Sequence, residues 1–162
     1  MSSQRQGMAA LDELAWLIGD WTDEWRRGEP GEATGGGESW KVQLEGRILV
    51  RNSWCEYPAA GDNAAFRHDD LLVVFRDFDL QVRAVFWDNH GHVIRYTTAD
   101  VDPDGSEFTF ESDPSSPGPR QRLHYRADGA NRLRADFNLQ LPGPATFSRY
   151  LEWTSSRMTP SP

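Results

Sequence analysis

The sequence predicts an all-β chain, an antiparallel up-and-down barrel of about ten strands behind one short helix. Three observations carry this. Beyond residue 20 the chain breaks into runs of five to ten residues rich in Val, Ile, Phe, Tyr, Trp and Thr, each closed by a turn signal. The connections are mostly hairpin-length, with almost none long enough for a crossover. The 14 glycines and 10 prolines are spread at intervals instead of being gathered into a linker. Closure is favoured over the alternative, a two-sheet sandwich, because an open ten-strand sheet leaves two long edges to protect.

The elements follow in order. Residues 1–7 are polar and expected to fray, as are residues 158–162. Met8–Ile18 reads as a helix, with Leu11, Leu14, Ala15 and Ile18 on one face and Gly19 as the stop. The expected strands are Trp21–Arg27, Ser39–Leu44, Ile48–Tyr57, Asp70–Arg76, Leu80–Asp88, Val93–Val101, Glu107–Ser112, Gln121–Ala127, Arg132–Gln140 and Thr146–Ser156. Short turns fall at Glu45-Gly46, Asp77-Phe78-Asp79, His90-Gly91, Asp102–Gly105, Asp128-Gly129 and Pro142-Gly143-Pro144. Longer loops are expected at 28–37, 58–67 and 113–119. The last of these is barred from a ladder by prolines that lack an N–H. The Gly35-Gly36-Gly37 run lacks the Lys-Ser/Thr of a phosphate loop and reads as a flexible connection.

The last three strands alternate cleanly enough to fix a register. Leu133, Ala135, Phe137, Leu139 and Leu141 face one way, and Arg132, Arg134, Asp136, Asn138 and Gln140 the other. Matching the neighbours places Tyr125 opposite Ala135, Leu123 opposite Phe137 and His124 opposite Asp136. A turn at Pro142-Gly143-Pro144 then sets Phe147 against Leu139, Arg149 against Phe137, Leu151 against Ala135 and Trp153 against Leu133, with Tyr150 meeting Asp136 behind.

Composition bounds the function. The 162 residues suit one domain. The net charge of −8 argues against a nucleic-acid binder, which needs a basic surface. No apolar run approaches the ~20 residues of a spanning helix, and no secretory leader is evident, so a soluble, cytoplasmic protein is expected. The single cysteine, Cys55, excludes an internal disulfide and a multi-cysteine zinc site. With 12% aromatic residues, the rings fill one core or line a cavity.

Leu14-Ala15-Trp16-Leu17-Ile18-Gly19-Asp20-Trp21 has the form L-x-x-L-x-G-x-W and resembles the start of the calycin-like barrels, in particular the bacterial DUF1579 group and the nitrobindin-like proteins. The strand–Gly-Arg–strand of Val42–Val50 and the closing Leu151–Arg157 are similar to further features of that group, so the resemblance spans residues 11–157. It implies that Trp21 closes one barrel end with Arg157 stacked on it. Lipocalins and fatty-acid-binding proteins hold apolar molecules inside such barrels, whereas DUF1579 implies no general activity. Nitrobindins carry haem on a C-terminal histidine; this chain has none after His124, which argues against haem, and no cofactor is expected.

Candidate chemistry is sparse. His90 and His92 flank Gly91 after Asp88, and His68 joins them only if loops converge; a solvated hairpin tip is the expected reading, with no metal. His124 with Asp136, and Tyr150 beyond, is the core of a general base if that face points inward, and an exposed ion pair if it points out. Cys55 shows no pattern of an activated thiolate. Three strands, Ile48–Tyr57, Asp70–Arg76 and Leu80–Asp88, are apolar on both faces, more than one helix can cover, so a homodimer is expected.

Two functional classes stay open. One is a binding module for a small apolar or amphipathic, anionic ligand, lined by Leu123, Tyr125, Leu133, Phe137, Leu139, Leu151 and Trp153 and anchored by Arg149, the single charge on that apolar face. The other is an enzyme that uses His124, Asp136 and Tyr150 as acid–base groups on a small molecule.

Overall fold

Hairpin-length connections force each strand to pair with its sequence neighbours, and the last strand returns to the first. The structure, a computed structural model, describes residues 9–142 and 146–159. A 3-10 helix over Ala9–Leu17 leads into β1 (Gly19–Gly28), β2 (Gly31–Glu32), β3 (Gly35–Gln43), β4 (Ile48–Tyr57), β5 (Phe66–Arg76), β6 (Val82–Asp88), β7 (Val93–Val101), β8 (Glu107–Ser112), β9 (Arg120–Ala127), β10 (Arg132–Gln140) and β11 (Ser148–Arg157). Ten strands, β1 and β3 to β11, form one antiparallel barrel closed by the β1–β11 pairing, with β2 as a short extra strand beside β1.

The helix differs from the α-helix that the i, i+3, i+4 pattern suggests. A three-residue period lines up Leu11, Leu14 and Leu17. Leu14 and Leu17 are fully buried and Leu11 packs on the core, while Ala15 and Ile18 face outward. This stripe plugs one end of the barrel. Trp21 closes the same end. Its indole N–H donates to the Leu17 carbonyl at 2.8 Å, and the Arg157 guanidinium lies 4.2 Å over its ring. Arg157 also donates to the Trp16 and Ile18 carbonyls, both at 2.6 Å, so one side chain ties the last strand to the helix.

The glycine run differs as well. Gly35-Gly36-Gly37 opens β3 and pairs with Glu56, Cys55 and Trp54. A Cβ on Gly36 would lie 2.3 Å from Asp23 Oδ2, so glycine there makes room for a carboxylate inside the barrel. Strand β5 starts at Phe66, four residues earlier than expected, and shortens the preceding loop.

The β9–β10 register matches expectation: Tyr125 faces Ala135, Leu123 faces Phe137 and His124 faces Asp136. The β10–β11 register does not. Phe137 pairs with Leu151, Ala135 with Trp153 and Asp136 with Glu152, a shift of two residues. Parity survives the shift, so Trp153 still points inward. A bulge between Phe137 and Asn138 then reverses it for the residues before Leu151. Arg149 therefore sits outside, 57% exposed and paired with Glu152 at 2.8 Å. The turn that was to set this register lies partly outside the described residues, as do residues 1–7 and 160–162.

Candidate functional site

Below the mouth opposite the helix, the barrel encloses a cavity of about 430 Å³, within the range of small-molecule pockets. Its wall is apolar where Phe86, Ile94, Leu123, Phe137, Leu151 and Trp153 face in. On β9 and β10, Leu123 and Phe137 alternate with outward Arg122, His124, Asp136 and Asn138, whereas Phe86 on β6 lies between apolar Val85 and Trp87.

The cavity is not uniformly apolar. Strict alternation in β1 places Trp21, Asp23 and Trp25 on the inner face. A bulge between Asp23 and Trp25 changes parity, and Arg26 turns inward instead. Arg26 is 3% exposed, and its Nε donates to Asp23 Oδ2 at 2.7 Å. Asp23 in turn accepts from the Ser155 hydroxyl at 2.7 Å. The guanidinium packs 4.3 Å over the Trp153 ring. Burial works against its charge, but Asp23 more than offsets that, so it stays protonated. One nitrogen, Nη2, is buried without a hydrogen-bond partner among the described residues, and Arg26 lines the cavity.

A second inward arginine anchors the neighbouring wall. Arg51 shares the inner face of β4 with Leu49 and Ser53, and donates to Asp70 Oδ1 at 2.6 Å and to the Tyr125 hydroxyl at 2.7 Å. Tyr125 passes its own proton toward Glu38 Oε2 at 2.6 Å. Burial pushes the Glu38 carboxyl up, against the pull of Arg51. Arg51 Nε and Glu38 Oε1 are also buried without a partner among the described residues.

At the mouth, the start of β5 lies against the β6–β7 turn, where a solvated hairpin tip alone was expected. The Asp88 side chain is 4% exposed. Its Oδ1 accepts the backbone N–H groups of His90 and His92 at 3.0 and 2.9 Å, which pins the turn. Its Oδ2 lies 2.8 Å from His92 Nδ1 and 3.2 Å from His68 Nε2. Burial opposes the Asp88 charge, yet the His92 and His68 contacts outweigh it and the carboxyl stays below its ordinary range. The His68 and His90 rings stack at 5.4 Å, and Phe66 meets His90 edge-on and stacks on Tyr57. Among the described residues, no group of three or more His, Cys, Asp and Glu side chains is arranged to hold a metal ion.

The expected site residues separate into three places. Leu123, Phe137, Leu139, Leu151 and Trp153 line the cavity, and Tyr150 joins them at the mouth. Leu133 and Tyr125 are fully buried in the core. His124 and Asp136 are paired at 3.0 Å, but on the outer face, where Glu107 also binds His124. Tyr150 does not meet Asp136; it packs edge-on to Phe137 at 6.1 Å. Cys55 lines the cavity, and burial pushes its thiol up, so it stays protonated. Arg26 and Arg51 were not legible as site residues. The β1 bulge hid the first, and the two apolar faces of β4 hid the second.

The chain matches no model of a known protein family, and no curated protein matches it.

Proposed function

We propose that this barrel binds a small amphipathic anion, its apolar body in the cavity and its anionic head against Arg26. The observation that carries this is Arg26, which lines an otherwise largely apolar cavity and whose Nη2 is a buried cationic donor without a partner among the described residues. A buried donor left unpaired costs about 1–3 kcal/mol, and more when charged, so a carboxylate there gains what the empty site forfeits. Arg26 thus takes the anchoring role that Arg149, outside the barrel and paired with Glu152, is not placed to fill.

The catalytic reading built on His124, Asp136 and Tyr150 draws no such support, because the first two lie on the outer face away from the cavity. The L-x-x-L-x-G-x-W opening, with Arg157 over Trp21, supports our placing the chain among calycin-like barrels near DUF1579.

The test compares decanoate with decanol on the wild type and on Arg26→Lys. Lysine keeps the charge for Asp23 but has no second nitrogen for a ligand. Decanoate affinity should fall at least tenfold, about 1.4 kcal/mol, and decanol affinity should hold. Equal losses for both, or none for either, would overturn the anchor.

A further inference from the structure

The mouth cluster is more than a turn cap. Carboxylates only accept, so His92 Nδ1, 2.8 Å from Asp88 Oδ2, carries the proton. Its other ring nitrogen, Nε2, is the basic site of the neutral ring and has no protein partner among the described residues. The ring is 71% exposed and borders the cavity, so water reaches it. Asp88 cannot swing away, because its other oxygen is held by two backbone N–H groups and His68 braces the same Oδ2. An imidazole fixed in one tautomer by a buried carboxylate, with its ring bordering a substrate-sized cavity, is the arrangement that general-base catalysis needs.

We propose that Asp88 and His92 form a hydrolytic centre for esters of amphipathic acids, with Arg26 holding a carboxylate at depth and the ester lying at the mouth. This rests on the binding reading above. His92 Nε2 takes a proton from water as the water oxygen bonds to the ester carbonyl carbon, and the carbonyl electron pair moves onto its oxygen. The tetrahedral intermediate collapses, the carbon–alkoxy bond breaks, and the leaving alkoxide takes the proton back from Nε2. Ester and water become acid and alcohol, and Asp88 stays ionised throughout. His92 is the catalytic residue, and Asp88 is a positioning residue that sets its tautomer.

The probes are mono-p-nitrophenyl esters of straight-chain dicarboxylic acids, which carry a carboxylate at one end and an ester at the other. Hydrolysis by the wild type should saturate and be inhibited competitively by decanoate. His92→Gln, on an exposed turn, should lower kcat at least about 100-fold with KM little changed. Asp88→Asn should lower kcat in the same direction, and Arg26→Lys should instead raise KM. His124→Gln, an outer histidine with its own carboxylate, should match wild type. Hydrolysis no faster than that of equimolar free imidazole, or a kcat that survives His92→Gln, overturns the proposal. Decanoate binding read on the same samples separates the two claims: intact binding with no hydrolysis refutes the hydrolytic centre alone, whereas loss of both in the wild type refutes the binding reading too.

Discussion

Replacing Arg51 with Met should destabilise the barrel about as much as emptying a large core position, although it deletes a charge and leaves apolar bulk in place. The Asp70 side chain is 5% exposed and receives Arg51 Nη2 at 2.6 Å. Without that guanidinium, its remaining neighbour is His68 Nδ1 at 3.6 Å, beyond hydrogen-bond reach. A buried ion pair broken from one side costs about 3–5 kcal/mol, because the stranded charge keeps its desolvation penalty. The Tyr125 hydroxyl loses a donor at the same time. Removing both partners in Arg51→Met/Asp70→Leu leaves no stranded Asp70 charge, and Glu38, released from the pull of Arg51, is driven by burial toward its protonated form; apolar replacements of buried pairs are often neutral or better. The double variant should therefore recover about 2 kcal/mol or more of the single variant's loss. Urea unfolding followed by tryptophan fluorescence reads all four corners of the cycle. A single-variant loss below about 1 kcal/mol, or a double-variant loss equal to the sum of the singles, would refute the claim that this pair is a desolvated, mutually dependent unit.

Two further outcomes are expected. His124 has a raised pKa, chiefly through its hydrogen bond to Asp136, with Glu107 adding to it. Its contribution to stability is thus fully present below its ordinary value of 6.5 and is lost as pH rises through the higher folded value. The stability difference between wild type and His124→Ala should be largest near pH 6 and shrink toward pH 8; a difference that grows with pH would contradict the pairing. On the outer face of β5 and β6, Leu71 pairs with Trp87 and Val73 with Val85, and Trp87 and its partner Val93 are 42% and 47% exposed. We propose that this face seats a second copy, so light scattering should give twice 18.4 kDa for the wild type and a monomer for Trp87→Lys. A monomer in both would remove the dimer.

What the sequence disclosed and what it hid both trace to strand parity. Alternation in Arg132–Gln140 was clean, so the β9–β10 register and the inward set of Leu123, Phe137 and Trp153 were legible. The β10–β11 register was misplaced by two residues, because nothing local marks the bulge at Phe137 and Asn138, and Arg149 fell on the wrong face with it. A second bulge, between Asp23 and Trp25, concealed Arg26. Gly36 was the available clue: a glycine run across from it in a strand-rich chain signals a close approach, here by the Asp23 carboxylate. The Asp88 cluster depends on β5 extending back to Phe66, whereas the strand was expected to begin at Asp70 because polar His68 and Asp69 precede it. An inward His or Asp breaks the apolar alternation for the same reason that it can serve a site.

The central claim is that the cavity, with Arg26 at depth, holds an amphipathic anion. The most direct measurement is a decanoate titration of isotope-labelled protein by NMR. A single saturable site is predicted, with the largest shifts at Ile94, Leu123, Phe137 and the Arg26 side chain, and little change at outward Val73 or Arg149. Shifts that fail to saturate, or that fall on the outer face while Arg26 stays still, would contradict it.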